Sequence, residues 1–438
     1  MGFPRAETFF RHDGPMTSAL LADLQWRNSI AQTTDQKELA SYLDGGSRLL
    51  YLGFDPTAPS LHVGNLVVLT VLRRFQLAGH KPIALVGGAT GLVGDPSGRS
   101  AERTLNEMDV VADWVAKLRS QIERFLDFSG SNGAIMANNL DWTAPLSTIQ
   151  FLRDIGKHFS VNQMLAKDSV SARLEAGGIS YTEFSYQVLQ SMDYLELFKR
   201  HGCALQIGGS DQWGNIVAGV DLIRRVEGKS AHALTIPLMT KSDGTKFGKT
   251  ASGTVWLDRT MTSPYSFFQF FLNSDDRDVV QLLRTFSFKS HNELEALFES
   301  HEKNPGAREA HRALAREVTS LVHGESEAEK VELAAKALFG QAEVKDLDLA
   351  TLTSALSELP KTTVPKGSAL PSWVELITAT GVVDSKSAAR RIIKEGGAYL
   401  NNLRVTDEGF TPSSEDLLHG RYLILRKGKR DLAAVEVL

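Results

Sequence analysis

Tyr51, Asp55, Thr57 and His62, side chains capable of acid, base or hydrogen-bond chemistry, fall within the single run YLGFDPTAPSLHVGN from Tyr51 to Asn65. If the apolar residues that lead into the run form a strand, Gly53 and Asp55 lie at its C-terminal end, where open α/β sheets bind ligands. A helix that begins near His62 then aims backbone N–H groups and its dipole at that end, a favourable place for phosphate. His62 can donate hydrogen bonds to phosphate, and Gly64 lets a flat group approach the backbone. A polar strand-to-helix turn uses the same residue types and stays open as the alternative. A second run, LMTKSDGTKFGKT, sets Lys241, Lys246 and Lys249 on a glycine-containing loop, either an arm able to close over phosphates or a solvated hairpin. A third, LQIGGSDQWGN, joins Gly208 at a strand end to Asp211 and Gln212 at a helix start; such a carboxylate can take ribose hydroxyls, or Ser210 or Asp211 simply caps the helix. Tyr186, Gln190 and Asp193 are spaced i, i+4 and i+7, so they share one stripe of a helix. Phe184, Val188, Leu189, Met192 and Leu195 flank that stripe, which therefore reads as a polar pocket wall. Asp95, in GDPSG, is either a further carboxylate of the same pocket or a turn residue.

The elements that must hold these residues follow from periodicity. From about Arg48 short apolar runs alternate with longer helical ones, the pattern of a parallel α/β sheet. RLLYLGF, PIALVGG, AIMANN, CALQIGG and ALTIPLMT read as strands. LVVLTVLRRFQLAG, a segment near Glu107 to Phe128, YTEFSYQVLQSMDYLELFKR and Asp211 to Val226 read as helices. The loop GATGLVGDPSGRSAERT is too long for a routine connection, and such loops are usually functional. Beyond Ser263 helical, charged sequence continues to about Leu359. KTTVPKGSALP, aperiodic and with two prolines, reads as a linker. A helix-then-strand unit closes the chain from Ser372.

At 438 residues and 42% apolar content the chain is too long for one ordinary core. Its net charge of −4 argues against a surface coated for nucleic acid but permits a local basic patch. The single cysteine, Cys203, rules out an internal disulfide or a Cys-based zinc cluster and fits a reducing cytoplasm. No apolar run approaches the roughly 20 residues of a membrane span. Residues 1–15 look like neither a secretory nor an organellar signal, and Met16 is a second candidate start.

Together these runs resemble a family, the bacterial-type tyrosyl-tRNA synthetases among the class I aminoacyl-tRNA synthetases. HVGN matches the class I HIGH motif and KFGKT stands where the family has KMSKS, while GFDPTAPSLH, GGATGLVGDPSG and QIGGSDQWGN are specific to the family. The resemblance runs from about Leu24 to the C-terminus. Asn65 replaces the second histidine, and Leu52 stands where many relatives have cysteine, which puts one ribose contact in doubt. The resemblance implies a Rossmann-like parallel-sheet catalytic domain (16–262), an α-helical anticodon-side domain (263–359), a linker (360–371) and a small α+β S4-like RNA-binding domain (372–438).

It also implies residue roles. Tyr51 and Asp193 would hold the phenolic hydroxyl of tyrosine; Asp95, Tyr186 and Gln190 would take its ammonium group, with Gln212 beside them. Gly53, Asp55, Asn65, Gly208, Asp211 and Gln212 would line ATP, with Thr57 and His62 at the phosphates. Lys246 and Lys249 would arrive on the mobile loop, assisted by Arg99 and Arg103. Magnesium would come with ATP, with no dedicated metal site in the protein. Residues 372–438 hold ten Lys and Arg against nine Asp and Glu, but the basic ones cluster. Lys386, Arg390, Arg391 and Lys394 share one expected helix, Arg426, Lys427, Lys429 and Arg430 follow a strand, and SAARRIIKEGGAYLNNLRV resembles an S4-type RNA-binding domain. Expected partners are tyrosine, ATP, tRNA(Tyr) and a second copy of the chain, in the cytoplasm and without a membrane. Two rivals are a tryptophanyl-tRNA synthetase, disfavoured because Asp193 with Tyr51 suits a phenol better than an indole, and a binding protein that has lost catalysis, from which His62, Asp211 or Lys249 should be missing.

Overall fold

The computed structural model describes residues 19–97, 105–167, 170–171, 173–174, 177–250, 253–428 and 431–438. They divide into two compact units. One comprises the chain up to Asp258 together with Asp275–Ala310; the other comprises Arg259–Ser274 and His311–Leu438.

The first unit is built on a six-stranded sheet. Its strands are β1 (Gln32–Thr33), β2 (Leu49–Phe54), β3 (Lys81–Val86), β4 (Ile135–Asn138), β5 (Leu205–Gly209) and β6 (His232–Ile236). The order is β1-β6-β5-β2-β3-β4. All neighbours are parallel except the short edge strand β1 against β6. β3 and β6 are almost wholly buried, as strands of a parallel sheet covered on both faces should be. β2 pairs with β3 over six residues but with β5 only where Tyr51 faces Gln206. Past Tyr51 the two strands therefore part, and because the chain leaves β2 toward β3 on one side while β5 lies on the other, a crevice opens at this switch point.

Two helices shape that crevice. Val63–Leu77 buries twelve residues, Arg73 and Arg74 among them. Tyr181–His201 is capped by Ser180, whose side chain accepts from Glu183 N, and ends at Gly202 in the left-handed region. A hairpin of β7 (Lys249–Thr250) and β8 (Gly253–Thr254) follows β6.

Asp275–Ala310 joins this unit rather than the helical domain expected over 263–359. The reason is two buried arginines. Arg27 donates through Nη1 to Arg284 O and Ser287 O at 3.0 and 3.1 Å and through Nη2 to Lys289 O at 3.1 Å. Arg74 Nη2 donates to Ser287 O at 2.5 Å. Both guanidiniums thus satisfy carbonyls at the C-terminal end of the Val279–Phe286 helix, where its dipole favours positive charge. Asp23 balances them, 2.9 Å from Arg27 and 3.9 Å from Arg74.

The second unit carries helices Pro264–Leu272, Glu325–Leu338 and Leu349–Ser357 and a sheet of β9 (Lys361–Val364), β10 (Ala398–Leu400), β11 (Leu403–Arg404), β12 (Tyr422–Lys427) and β13 (Asp431–Val437). The sheet order is β11-β10-β12-β13-β9. The expected linker is thereby corrected in its first half: β9 is a strand, parallel to β13, with Lys361 facing Ala434. Its partner lies some seventy residues away, so no local pattern betrays it. The sheet and these helices also share bonds, Asn402 Nδ2 to Ala337 O at 2.6 Å and His419 Nε2 with Leu347 O at 2.7 Å, where separate helical and C-terminal domains were expected.

Trp373 centres the core of this sheet: it is fully buried and its Nε1 donates to Tyr399 O at 3.1 Å. Trp373→Ala should destabilise the second unit by about 3–5 kcal/mol through the cavity it leaves. Denaturant unfolding followed by circular dichroism should show the loss as an earlier transition for this unit; an unmoved transition would mean that the indole is not a core group.

Candidate active site

The crevice at the β2–β5 parting is a cleft of about 380 Å³. It gathers Tyr51, Gly53, Asp55, Thr57, His62, Asn65, Asp95, Tyr186, Gln190, Asp193, Gly208, Asp211 and Gln212, all singled out from sequence. Thr90, Asn139 and Gln206 line it too and were not foreseen.

At its floor lies Asp193, buried to 2% exposure. Trp142 Nε1 donates to its Oδ1 at 2.7 Å and Asn139 Nδ2 to its Oδ2 at 2.9 Å. Burial nevertheless pushes this carboxyl up to about 7, against the pull of the two donors. Asn139 sits just past the end of β4 and Trp142 one turn later; a reading that treated every strand end in NNLDW as it treated Gly53 would have found them.

Asp55 is held from two sides, by Tyr186 Oη at 2.6 Å and by Thr90 Oγ1 at 2.6 Å. A Cβ on Gly87 would stand 2.1 Å from Asp55 Oδ1, so only glycine allows this approach. Tyr186 thus reaches Asp55, although sequence grouped it with Asp95. Asp95 accepts instead from Gln212 Nε2 at 2.6 Å and from Ser97 N at 2.9 Å. Three buried polar atoms lining the cleft, Tyr51 Oη, Gln190 Oε1 and Gln206 Oε1, find no hydrogen-bond partner among the described residues. An unmet buried polar atom costs about 1–3 kcal/mol, so their placement calls for a ligand that meets them. Burial raises the Tyr51 phenol, and the neighbouring Asp193 charge adds to the shift, so Tyr51 remains a neutral donor.

His62 caps the Val63–Leu77 helix. Its Nδ1 accepts from Gly64 N at 3.0 Å, and Asn65 Oδ1 accepts from His62 N at 3.1 Å, a reciprocal capping box. Asn65 therefore has a structural use in place of the family's second histidine. Burial, then the nearby Lys249 charge, lowers the His62 pKa. The ring is neutral, and with Nδ1 accepting, its proton is on Nε2, free to be offered to a ligand.

Lys246 and Lys249 are exposed and do not line the cleft. Both stand near its rim: the protein around Asp211 raises that carboxyl while the Lys246 ammonium pulls the other way. Arg99 and Arg103 lie outside the described residues, as do Lys429 and Arg430. In the second unit Lys386, Arg390, Arg391 and Lys394 are all exposed on the Lys386–Lys394 helix. Lys386 pairs with Glu375 at 2.8 Å, Lys394 with Glu408 at 3.2 Å and Arg391 more loosely with Glu395 at 3.8 Å. Arg426 stacks on Tyr399, 3.9 Å from the ring centre.

The Asp193 environment has a pH signature. Its carboxyl titrates near 7 when folded against an ordinary 3.8. Folding therefore favours the protonated form: the contribution to stability is full below about pH 4, declines as pH rises to about 7, and is constant above. Between those limits the unfolding free energy of the empty protein, measured against Asp193→Asn, should shift in the variant's favour by on the order of 4 kcal/mol. A difference that does not vary with pH would put Asp193 in the ordinary carboxylate range.

Comparison with known proteins agrees with this geometry. Residues 45–340 match the family of class I tRNA synthetases (W and Y), and residues 351–435 match the tyrosine–tRNA ligase SYY-like C-terminal domain. The chain is 59% identical over 420 residues to the tyrosine–tRNA ligase of Streptomyces avermitilis, covering 95% of this chain and 99% of that one. It is 55% identical over 423 residues to that of Mycobacterium tuberculosis, covering 96% and 99%. Among solved structures, a C-terminally truncated mitochondrial tyrosyl-tRNA synthetase of Aspergillus nidulans superposes with a TM-score of 0.67 at 31% identity, over 73% of this chain and 94% of that one. The tyrosyl-tRNA synthetase of Archaeoglobus fulgidus complexed with L-tyrosine shares the fold, with a TM-score of 0.55 at 14% identity over 71% and 99%. With a parallel-sheet cleft of this make-up and relatives this close over nearly its whole length, the chain belongs to the class I tRNA synthetases, and within them to the tyrosine–tRNA ligases.

Proposed function

We propose that the cleft between β2 and β5 is where this tyrosine–tRNA ligase activates its amino acid, with Tyr51 and Asp193 reading the substrate phenol. The reaction joins L-tyrosine to ATP as tyrosyl-adenylate, releases pyrophosphate, and then moves tyrosine to the 3′ end of tRNA(Tyr). The observation that carries the assignment is the set of unmet buried atoms beside Asp193. The substrate hydroxyl donates to Asp193, which Asn139 and Trp142 hold in place, and accepts from Tyr51 Oη. Its ammonium group is met by Gln190 Oε1, Asp95 and Tyr186, the last fixed by Asp55.

ATP lies along Gly53, Asp55, Asn65, Gly208, Asp211 and Gln212, with its phosphates at Thr57 and at His62 Nε2–H. The tyrosine carboxylate attacks the α-phosphorus and pyrophosphate leaves, so no protein nucleophile is required. The protein contributes position, and Lys246 and Lys249 bring positive charge to the departing phosphates. Arg99 and Arg103 are assigned to the same side. Asp55 and Asp95 already accept two hydrogen bonds each, which suits a magnesium ion carried on the ATP phosphates, where it spreads their charge, better than one caged by the protein.

The basic helix Lys386–Lys394 serves tRNA(Tyr) binding. Exposed apolar side chains at Ile149, Val161 and Tyr181, 58–71% accessible, suit an interface with a second copy of the chain. No helix among the described residues is long and apolar enough to cross a membrane, and a cytoplasmic enzyme is the reading that fits.

Tyrosine-dependent exchange of pyrophosphate into ATP tests the assignment. Lys246→Ala and Lys249→Ala should each slow exchange by about 10²-fold or more while tyrosine binding changes little, as expected for groups used mainly in the transition state. Equal losses in both would place the loop in ground-state binding. For the second unit, Arg390→Glu with Arg391→Glu should leave exchange intact, weaken tRNA charging, and make the salt dependence of tRNA binding shallower by about one to two units of slope. An unchanged slope would remove this helix from the RNA interface.

A further inference from the structure

Asp278 stands at the N-cap of the Val279–Phe286 helix, where a carboxylate ordinarily accepts from the helix's own N–H groups. It makes no such bond. Its Oδ1 accepts instead from Ser242 N, at 2.9 Å, in the lysine loop. That loop is a closed hairpin: Lys241 N donates to Thr245 O at 2.8 Å, Gly244 N to Lys241 O at 2.9 Å and Phe247 N to Met239 O at 3.2 Å, with Thr240 bridged to Lys246. The Phe247 ring lies 6.0 Å from Phe286 on the same helix. A tether at Ser242 therefore fixes the strand opposite Lys246 and, through the hairpin, Lys246 itself.

Lys249 is held differently. It follows Gly248, whose φ of +82° makes the bend at the hairpin base and whose carbonyl accepts from Val255 N at 3.0 Å. A Cβ on Gly248 would stand 2.5 Å from Val63 Cγ2, so the base is pressed onto the first residue of the His62 helix. One bond, Lys241 Nζ to Lys249 O at 3.3 Å, ties the base to the tip. The two lysines are thus positioned by two different parts of the first unit.

We propose that Asp278 is a positioning residue for adenylate formation, holding the hairpin so that Lys246, and not Lys249, faces the Asp211 side of the cleft. This rests on the role assigned to Lys246 above. The experiment is a pair of double-mutant cycles on the full-length chain, read by pyrophosphate exchange and by tyrosine binding. Asp278→Ala should slow exchange by about tenfold with tyrosine affinity within about twofold of the parent. Asp278→Asn keeps the acceptor and should restore most of the rate. Added to Lys246→Ala, Asp278→Ala should cost nothing further, whereas added to Lys249→Ala it should cost its full tenfold again. Equal additional losses on both backgrounds, or no rescue by asparagine, would overturn the positioning role while leaving the lysines in place. If Lys246→Ala alone left exchange unchanged, the assignment of Lys246 would fall and this inference with it.

Discussion

A carboxylate taken out of water without an ion-pair partner among the described residues must be held by neutral donors, and the cleft is organised around that constraint at Asp193. Isolated charge is costly to bury. Asn139 and Trp142 supply the compensation, and one of them does more. Asn139 Nδ2 donates also to Thr90 Oγ1 at 3.0 Å, and its Oδ1 accepts from Ala89 N at 2.7 Å. The Thr90 hydroxyl in turn donates a hydrogen bond to Asp55, and Tyr186 donates to the other oxygen of Asp55. Tyr186 and Asp193 belong to one helix, so the chain of bonds closes on itself. It ties the ends of β2, β3 and β4 to the Tyr181–His201 helix, with both aspartates as acceptors.

The ring leaves Asp193 and Tyr186, two of the side chains proposed to meet the substrate, with little freedom, which is what pre-organised recognition requires. The phosphate side is arranged in the opposite way. His62 is fixed by its capping box, and Val63 N and Leu257 N bond to Val255 O and Leu61 O, so an antiparallel bridge at His62 and Trp256 joins the motif to the chain after the lysine loop. The lysines stand outside this frame on an exposed hairpin. The two halves of the cleft thus differ in how they are held, one by a closed ring of buried bonds and the other by a surface hairpin tied at Ser242 and at Gly248.

Sequence makes the first of these halves easier to see than the second unit. β2, β3, β5 and β6 lie in short, mainly apolar runs, and the i, i+4, i+7 stripe of Tyr186, Gln190 and Asp193 carries its geometry in its spacing. Asn139 and Trp142 acquire their role only when β4 is set beside the helix carrying Asp193, more than fifty residues later, and their place just past a strand end is the one local mark they carry. Arg27 and Arg74 look like surface charges until the carbonyls they cap are known, so sequence alone does not separate Asp275–Ala310 from the helices that follow it. β9, with prolines after it and its parallel partner at the far end of the chain, looks like a linker for the same reason. The family resemblance supplied roles for residues that periodicity could only place on an element.

On the proposed assignment, the way the cleft would reject a wrong amino acid follows from the groups it leaves unmet. A phenylalanine ring fits any space that admits tyrosine, so exclusion by size is not available. What it lacks is the hydroxyl, and without it Tyr51 Oη stays without a partner, as it is in the empty cleft. Asp193 likewise gains no third hydrogen bond to offset its burial. Both costs fall on the complex with the wrong substrate and vanish with the right one. Selection on this reading is a property of the protein's own unsatisfied atoms, which are buried beside a closed ring of bonds that fixes Asp193, the carboxylate they accompany.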